Sequence, residues 1–336
     1  MTRKKTLTLD AIHQLSVSAM QACGANTASA ESLACATTAA EADGLANVGL
    51  SHLLDYLGSL QRGQINGQAV PVLTSNSMNS LLVDGNGGVA HLAFDIAFEQ
   101  LATAAKTSGI AALAVRNVFT CGVVGYFVER LAQVGLIGQA YANAPAMVAP
   151  WGGLPLAFFG TNPIAFAVPV AERAPLVIDQ STTVTAFVNI REAANKQEPI
   201  PLDWAVDSQG HPTRDAVAAL AGTVAPAGGY KGTNMALMVD VLAAGLSGAN
   251  WSHEAPEFGI GKEPINVGQF FMAIDPVFFA GQDFSTRMAA FIDIYENSFD
   301  GHVPGAVRQM KRQQAAQDGV GVDCNILAQI NAFMNV

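Results

Sequence analysis

At 336 residues the chain is longer than the size at which one hydrophobic core keeps growing, so one large or two modest domains are expected. Half of the residues are hydrophobic, only 13% are charged and 32 are glycine, which excludes a disordered chain. With 17 Lys and Arg against 27 Asp and Glu the net charge is −10, and this disfavours a nucleic-acid partner, because phosphate binding needs a basic surface.

The N-terminal Met1-Thr2-Arg3-Lys4-Lys5 is basic, but Asp10 and His13 interrupt the stretch that an export signal would keep apolar. The most apolar run, Ala236 to Leu246, contains Asp240 and is short of the ~20 residues of a membrane span. Cys23, Cys35, Cys121 and Cys324 show neither C-x-x-C spacing nor His partners at zinc-site intervals. No membrane segment, metal site or disulfide framework is expected, and a reducing cytoplasm is the default compartment.

Three helices open the chain. Leu9 to Ala22 carries Leu9, Ile12, Leu15 and Met20 near helical spacing before Cys23-Gly24; Ser29 to Ala42 ends at Asp43-Gly44; Ser51 to Leu60 ends at Arg62-Gly63. Ser80 to Asp84 then reads as a strand, Gly85 to Gly88 as a turn, and His91 to Lys106 as an amphipathic helix. Strand Gly109 to Val115, helix Gly125 to Gln133 and strand Leu136 to Ala142 continue an alternation that argues for an α/β sheet. Pro163 to Pro169 and Pro175 to Asp179 are short strands, Thr185 to Lys196 a helix, and 197–213 a turn-rich connection. A long helix spans Thr233 to Leu246, a strand Gln269 to Ala273, and helices Asp283 to Asn297 and Ile326 to Met334. Residues 1–75 are expected to pack with 283–336, leaving 76–282 as the α/β unit.

No G-x-x-x-x-G-K-[ST] is present, and no G-x-G-x-x-G follows a strand and opens a helix, so an ordinary Rossmann enzyme is not indicated. Seven lysines serve the whole chain, and Lys231 is the one within a glycine-rich loop, Gly228-Gly229-Tyr230-Lys231-Gly232-Thr233-Asn234. Glycines that admit backbone N–H groups, a following helix and a full positive charge make an anion site there, against the alternative of a simple turn with a solvated lysine. Gly160-Thr161-Asn162-Pro163 is a turn or a binding loop. Asp179-Gln180-Ser181 follows a strand, where an open sheet places its ligands, or else Ser181 and Thr182 cap a helix. The six histidines have no evident partners, and His52 stands at a helix start.

Taken together, Val148 to Gly153 with Phe159-Gly160-Thr161-Asn162-Pro163-Ile164-Ala165-Phe166, Asp179 with Thr182, Val206 to Asp215, Gly229-Tyr230-Lys231-Gly232 and Val303-Pro304-Gly305 resemble, in order, blocks of the type-2 malate/L-lactate dehydrogenase family. The likeness spans essentially the whole chain. That family includes ureidoglycolate and sulfolactate dehydrogenases and reductases of Δ1-pyrroline-2-carboxylate and Δ1-piperideine-2-carboxylate. It implies an α/β fold with a non-Rossmann, mixed-sheet cofactor domain flanked by helical segments from both chain ends, a nicotinamide cofactor and a homodimer. By the same resemblance Thr120, Cys121, Gly122, Thr161, Asn162, Asp179, Gln180, Ser181, Tyr230, Lys231, Pro304 and Arg308 surround the dinucleotide.

Relatives carry Ser-His-Gly-x-x-Arg where this chain has Asn47-Val48-Gly49-Leu50-Ser51-His52, so Val48 replaces a histidine and His52 the arginine that clamps a carboxylate. A second family histidine corresponds to Thr120, and the aspartate that supports the histidine of imine reductases to Asn189. The residues left at the reacting centre are His52, Asn47, Thr120 and Asn189. Oxidising a secondary alcohol needs a base for its hydroxyl proton, whereas a cyclic imine nitrogen is basic enough to arrive protonated and accept hydride directly. The resemblance and its departures therefore point to NAD(P)H-dependent reduction of a cyclic imino acid, Δ1-pyrroline-2-carboxylate to L-proline and its six-membered homologue to L-pipecolate. NADPH is the expected donor, with NADH open. In this reading protonated His52 takes the place of the missing arginine as partner of the substrate carboxylate. A 2-hydroxy-acid dehydrogenase and a dinucleotide-binding homologue without turnover are the other readings.

Overall fold

A computed structural model describes residues 3–299 and 301–335. Strand β1 (Lys4–Leu7) precedes three helices, α1 (Leu9–Ala22), α2 (Thr27–Ala42) and α3 (Leu50–Arg62). Their starts have separate causes. The Thr8 side chain accepts from Ala11 N–H, and that of Asn26 from Ser29 N–H. For α3 no side chain of its own segment does this; Glu41 at the end of α2 accepts the Leu50 N–H at 2.7 Å. Glu41 lies so close to Gly49 that any side chain there would collide with the carboxylate.

The central sheet begins with β2 (Val72–Ser77) and β3 (Ser80–Gly88), followed by α4 (Ala90–Ser108), β4 (Ile110–Val118), α5 (Gly125–Gln133), β5 (Ile137–Ala142), β6 (Ile164–Val168) and β7 (Leu176–Gln180). After α6 (Phe187–Lys196), β8 (Ala205–Val206), α7 (Ala216–Leu220), β9 (Thr223–Val224) and α8 (Tyr230–Asp240), strand β10 (Val267–Ile274) returns to it. The seven strands lie in the order β2-β3-β4-β10-β5-β6-β7, with β3 parallel to β4 and every other pair antiparallel. The sheet is thus mixed, as expected. Side chains alternate across it: Phe271 and Ala273 join Leu113, Phe94, Leu101 and Phe127 in the core beneath α4 and α5. Gly268 faces the other way, where a Cβ would run into the Ala243 carbonyl. That carbonyl belongs to a π-helical stretch, Val241–Gly245, which continues α8.

The chain closes with α9 (Val277–Ala280), α10 (Phe284–Phe299), α11 (Ala306–Asp318), β11 (Val320–Asp323) and α12 (Cys324–Met334). Its two ends meet, since β1 pairs antiparallel with β11, and Ile330 of α12 is buried with Ile12, Met20, Leu53 and Leu57. In contrast, α10 is tied to the turn after β6, where Arg173 pairs with Asp293 and Glu296.

Two local expectations are corrected. Gly85 to Gly88 is not a turn but the end of β3, because Gly85 has no Cβ to strike Val118 and Gly88 pairs with that residue. The helix expected from Thr233 starts at Tyr230. Its first turn can pack tightly because Gly232 lies against the Ala227 and Thr182 backbone, where any Cβ would clash. No helix follows Ser181 and Thr182 directly, so neither is a cap; Thr182 instead donates from its N–H and its hydroxyl to the Thr161 carbonyl.

Candidate active site

A cleft of about 320 Å³ opens where α3, the loop before α5, the carboxyl end of β7 and α6 converge. Of the residues singled out from the sequence, Asn47, His52, Thr120, Cys121, Gly122, Thr161, Asp179, Gln180, Ser181 and Arg308 line it. Val48 lines it too, so a valine side chain faces the cleft where the family pattern has histidine.

The α3 helix sets one wall through the spacing of His52, Asp55 and Tyr56, which share a face at i, i+3 and i+4. Tyr56 donates its hydroxyl to the Thr120 carbonyl at 2.8 Å and so fixes the loop that carries Thr120, Cys121 and Gly122. His52 is 9% exposed, with its ring edge-on to Tyr56 and stacked on Phe258. Its Nδ1 lies 2.8 Å from Asp55 Oδ2, and Arg191 on α6 approaches the same carboxylate at 3.3 and 3.4 Å. Burial alone would raise the Asp55 carboxyl, but His52 and then Arg191 hold it below the ordinary range, so it stays ionised behind the cleft.

A second charged pair stands at the end of β7. Asp179 accepts the Gly125 N–H at 3.0 Å at the start of α5, and Arg308 of α11 lies 3.8 Å away. Burial raises the Asp179 carboxyl, a shift opposed by the Gly125 N–H and Arg308. Nearby, burial pushes the Cys121 thiol up to about 12, which leaves it protonated. Thr120 Oγ1 is buried and has no hydrogen-bond partner among the described residues. Thr120 lines the cleft, and its hydroxyl can turn to a ligand atom without giving up a hydrogen bond.

Five expected site residues lie outside this lining. Asn162 is fully buried; its Nδ2 donates to the Ala236 carbonyl and its Oδ1 accepts from Ser252, so its side chain braces α8 and is not free to contact a ligand. Asn189 points its amide to Thr185 Oγ1. Tyr230 and Lys231 are exposed in the first turn of α8, and Pro304 precedes α11. The α8 start nevertheless adjoins the cleft rim, because Ala227 N–H donates to the Thr182 carbonyl one residue beyond Ser181. Sequence reasoning missed Asp55 and Arg191. Asp55 was detectable as a carboxylate three residues after His52, but Arg191 sits in a helix without a motif, 136 residues away from Asp55.

Residues 7–331 match the family described as malate/L-lactate dehydrogenase, and the chain belongs to that family. It is an oxidoreductase of that family, whose members use nicotinamide cofactors. It is 38% identical to a (2R)-3-sulfolactate dehydrogenase (NADP(+)) of Chromohalobacter salexigens, with 93% of each chain covered. It is 33% identical to a Delta(1)-pyrroline-2-carboxylate reductase 2 of Burkholderia multivorans, over 98% of this chain and 97% of the other. Among solved structures, delta1-piperideine-2-carboxylate reductase from Pseudomonas syringae pvar. tomato superimposes with a TM-score of 0.93 at 30% identity, over 98% of this chain and 99% of that one. The cleft fits a nicotinamide group: it offers the unpaired Thr120 hydroxyl, the Asp179–Arg308 pair at a strand end and an otherwise largely apolar lining. Among the described residues no helix is long and apolar enough to cross a membrane.

Proposed function

We propose that this oxidoreductase reduces Δ1-pyrroline-2-carboxylate to L-proline, and the six-membered homologue to L-pipecolate, with NADPH as the preferred donor. The observation that carries this reading is the pair of cleft positions Val48 and Thr120, neither of which can exchange a proton at neutral pH. A cyclic iminium needs no strong acid there. The bound cofactor would supply hydride. Asp179, Gln180, Ser181, Thr161, Cys121, Gly122 and Arg308 would hold it in the cleft, with Tyr230, Lys231 and Pro304 toward its outer half. Asn47, His52 and Thr120 would contact the substrate. The mostly apolar walls, including Val48, Val123, Ala142, Phe187 and Phe258, exclude water and strengthen every polar contact made inside. A homodimer in a reducing cytoplasm completes the proposal. It would cover the exposed Leu237, Met238 and Val241 at α8 and Phe291, Ile294 and Phe299 on α10, while the four cysteines are free thiols.

The His52–Asp55 pair favours a second reading, because an imidazole held by a carboxylate can accept a hydroxyl proton, as a 2-hydroxy-acid dehydrogenase requires. A panel of cyclic imino acids, malate, lactate, sulfolactate and ureidoglycolate with NADPH and NADH separates the two. The cyclic imines should show the highest kcat/KM, and equal or faster turnover of a hydroxy acid would overturn the first reading.

Thr120→Val should keep stability within about 1 kcal/mol of wild type, since it deletes a buried hydroxyl that lacks a partner. It should also raise KM for substrate or cofactor roughly 2- to 10-fold through the lost hydrogen bond. Thermal melts alongside steady-state kinetics check both, and unchanged KM values would remove Thr120 from the site.

A further inference from the structure

We infer that Arg191, and not His52, receives the substrate carboxylate, and that Asp55 positions both residues from behind the cleft; this rests on the reading that the cleft takes a small carboxylic acid. The assignment follows from what each cation already does. His52 Nδ1 is committed to Asp55 at 2.8 Å, and its ring is wedged between Tyr56 and Phe258. Only its opposite edge can meet a ligand, and as a single donor it cannot grip both oxygens of a carboxylate. Arg308 stands at the Asp179 end of the cleft, beside the start of α5, where the proposed function places the cofactor. Arg191 lines the same cleft as His52, from α6.

The two hydrogen bonds recorded for the Arg191 side chain, at 3.3 and 3.4 Å, are long for a guanidinium–carboxylate pair. They orient the planar group without exhausting it, because a guanidinium carries five N–H donors in a fork that matches a second carboxylate. Phe187, Val188, Leu45 and Val48 line the same cleft, and this largely apolar surrounding strengthens the attraction of Arg191 for an entering anion. Asp55 ties the two cations to one carboxylate: it fixes His52 with Nδ1 as the donor and keeps Arg191 turned toward the cleft wall. The family cation at position 52 has in effect been replaced by one on the adjoining helix α6, held by the same Asp55 carboxylate as His52.

The test uses the full-length wild type with Arg191→Gln, Arg191→Lys and His52→Gln. Each is assayed on Δ1-pyrroline-2-carboxylate and on 1-pyrroline, which lacks the carboxylate, and titrated calorimetrically with pyrrole-2-carboxylate in the presence of cofactor. Arg191→Gln should raise KM for the carboxylated imine and weaken pyrrole-2-carboxylate binding together, by about 10- to 100-fold, the loss expected for a charge-assisted hydrogen bond. Turnover of 1-pyrroline should fall by much less than that of the carboxylated imine, and an unchanged circular-dichroism spectrum and melting temperature show that the variant is folded. Arg191→Lys should recover part of the loss, since it keeps the charge without the fork. Arg191→Gln values unchanged on the carboxylated ligands, or a carboxylate-selective loss found in His52→Gln alone, would overturn the assignment. If the wild type turns over a 2-hydroxy acid and no cyclic imine, the proposed function fails on its own. Arg191 is then judged by the same comparison between that acid and its amide. A wild type that binds none of these carboxylates defeats both.

Discussion

Replacing Arg312 by alanine is expected to destabilise the protein by about 2–4 kcal/mol and to weaken cofactor binding at the same time. Arg312 sits at a meeting point of three helices. Its Nε and Nη2 reach Asp43 at 2.7 and 3.0 Å, and its Nη1 and Nη2 reach Glu129 at 2.7 and 3.0 Å. Glu129 and then Asp43 hold the guanidinium far above its ordinary value. The carboxylates are 8% and 14% exposed, so truncation strands two poorly solvated negative charges, while the partial exposure of the arginine keeps the loss below that of a fully buried triad. The second effect is geometric. Arg308 lies one turn earlier on α11, whose side-chain hydrogen bonds to other elements, among the described residues, are those of Arg312 and a long one from Gln309 to the Pro175 carbonyl. With α11 loosened, Arg308 drifts from Asp179 and from the cleft. Urea titrations and nicotinamide fluorescence titrations of Arg312→Ala and Arg312→Lys check this. Lysine can satisfy one carboxylate but not both, so an intermediate value is expected. A change under about 0.5 kcal/mol, within the range of ordinary surface substitutions, would show the cluster to be incidental.

How far the sequence could be read depended on whether an element is stabilised by its own side chains. The α1 and α5 helices, Leu9–Ala22 and Gly125–Gln133, were legible to the residue because each carries a continuous apolar stripe and a stop. The strand at Val72–Ser77 was not, since it is a mostly polar edge strand whose partner defines it. Nor were Lys4–Leu7 and Val320–Asp323, short segments that become strands only by pairing across the whole chain. The α11 helix buries Ala315 alone, so no periodicity betrays it, and its place is set by the Arg312 cluster. The site followed the same division. His52, Thr120, Asp179 and Arg308 came from a family likeness in sequence blocks, and they line one cleft. Arg191 belongs to no block, and only the fold brings it to Asp55. Asn162 stood in a matching block, yet its side chain serves packing. A glycine-rich run proposed a loop at Lys231, whereas close approach of Gly232 to the Thr182 backbone lets the helix begin earlier.

Acid should destabilise the protein through His91, and His91→Gln should remove much of that sensitivity. His91 opens α4 and is 2% exposed, enclosed by Tyr56, Tyr126 and Phe127, with Nδ1 unpartnered among the described residues. Burial lowers its pKa to about 4; Asp95 opposes the shift, His52 and Arg130 add to it, and a hydrogen bond to the Cys121 backbone opposes it again. In the unfolded chain the ordinary value is about 6.5. Above that pH the ring is neutral in both states and contributes no pH dependence. As the pH falls from about 6.5 to 4 the unfolded chain takes up a proton that the folded chain refuses, and stability falls by up to about 1.4 kcal/mol per pH unit, about 3 kcal/mol in all. Glu41 and Asp179, whose carboxyls are raised by burial, act in the opposite sense, but they are common to both proteins and cancel in the difference. Glutamine keeps an N–H donor and cannot titrate, so His91→Gln should lose stability near pH 7.5 through altered packing and converge on wild type, or pass it, near pH 4.5. Urea midpoints across that range measure the two slopes, and parallel declines would mean that acid unfolds the protein through other groups.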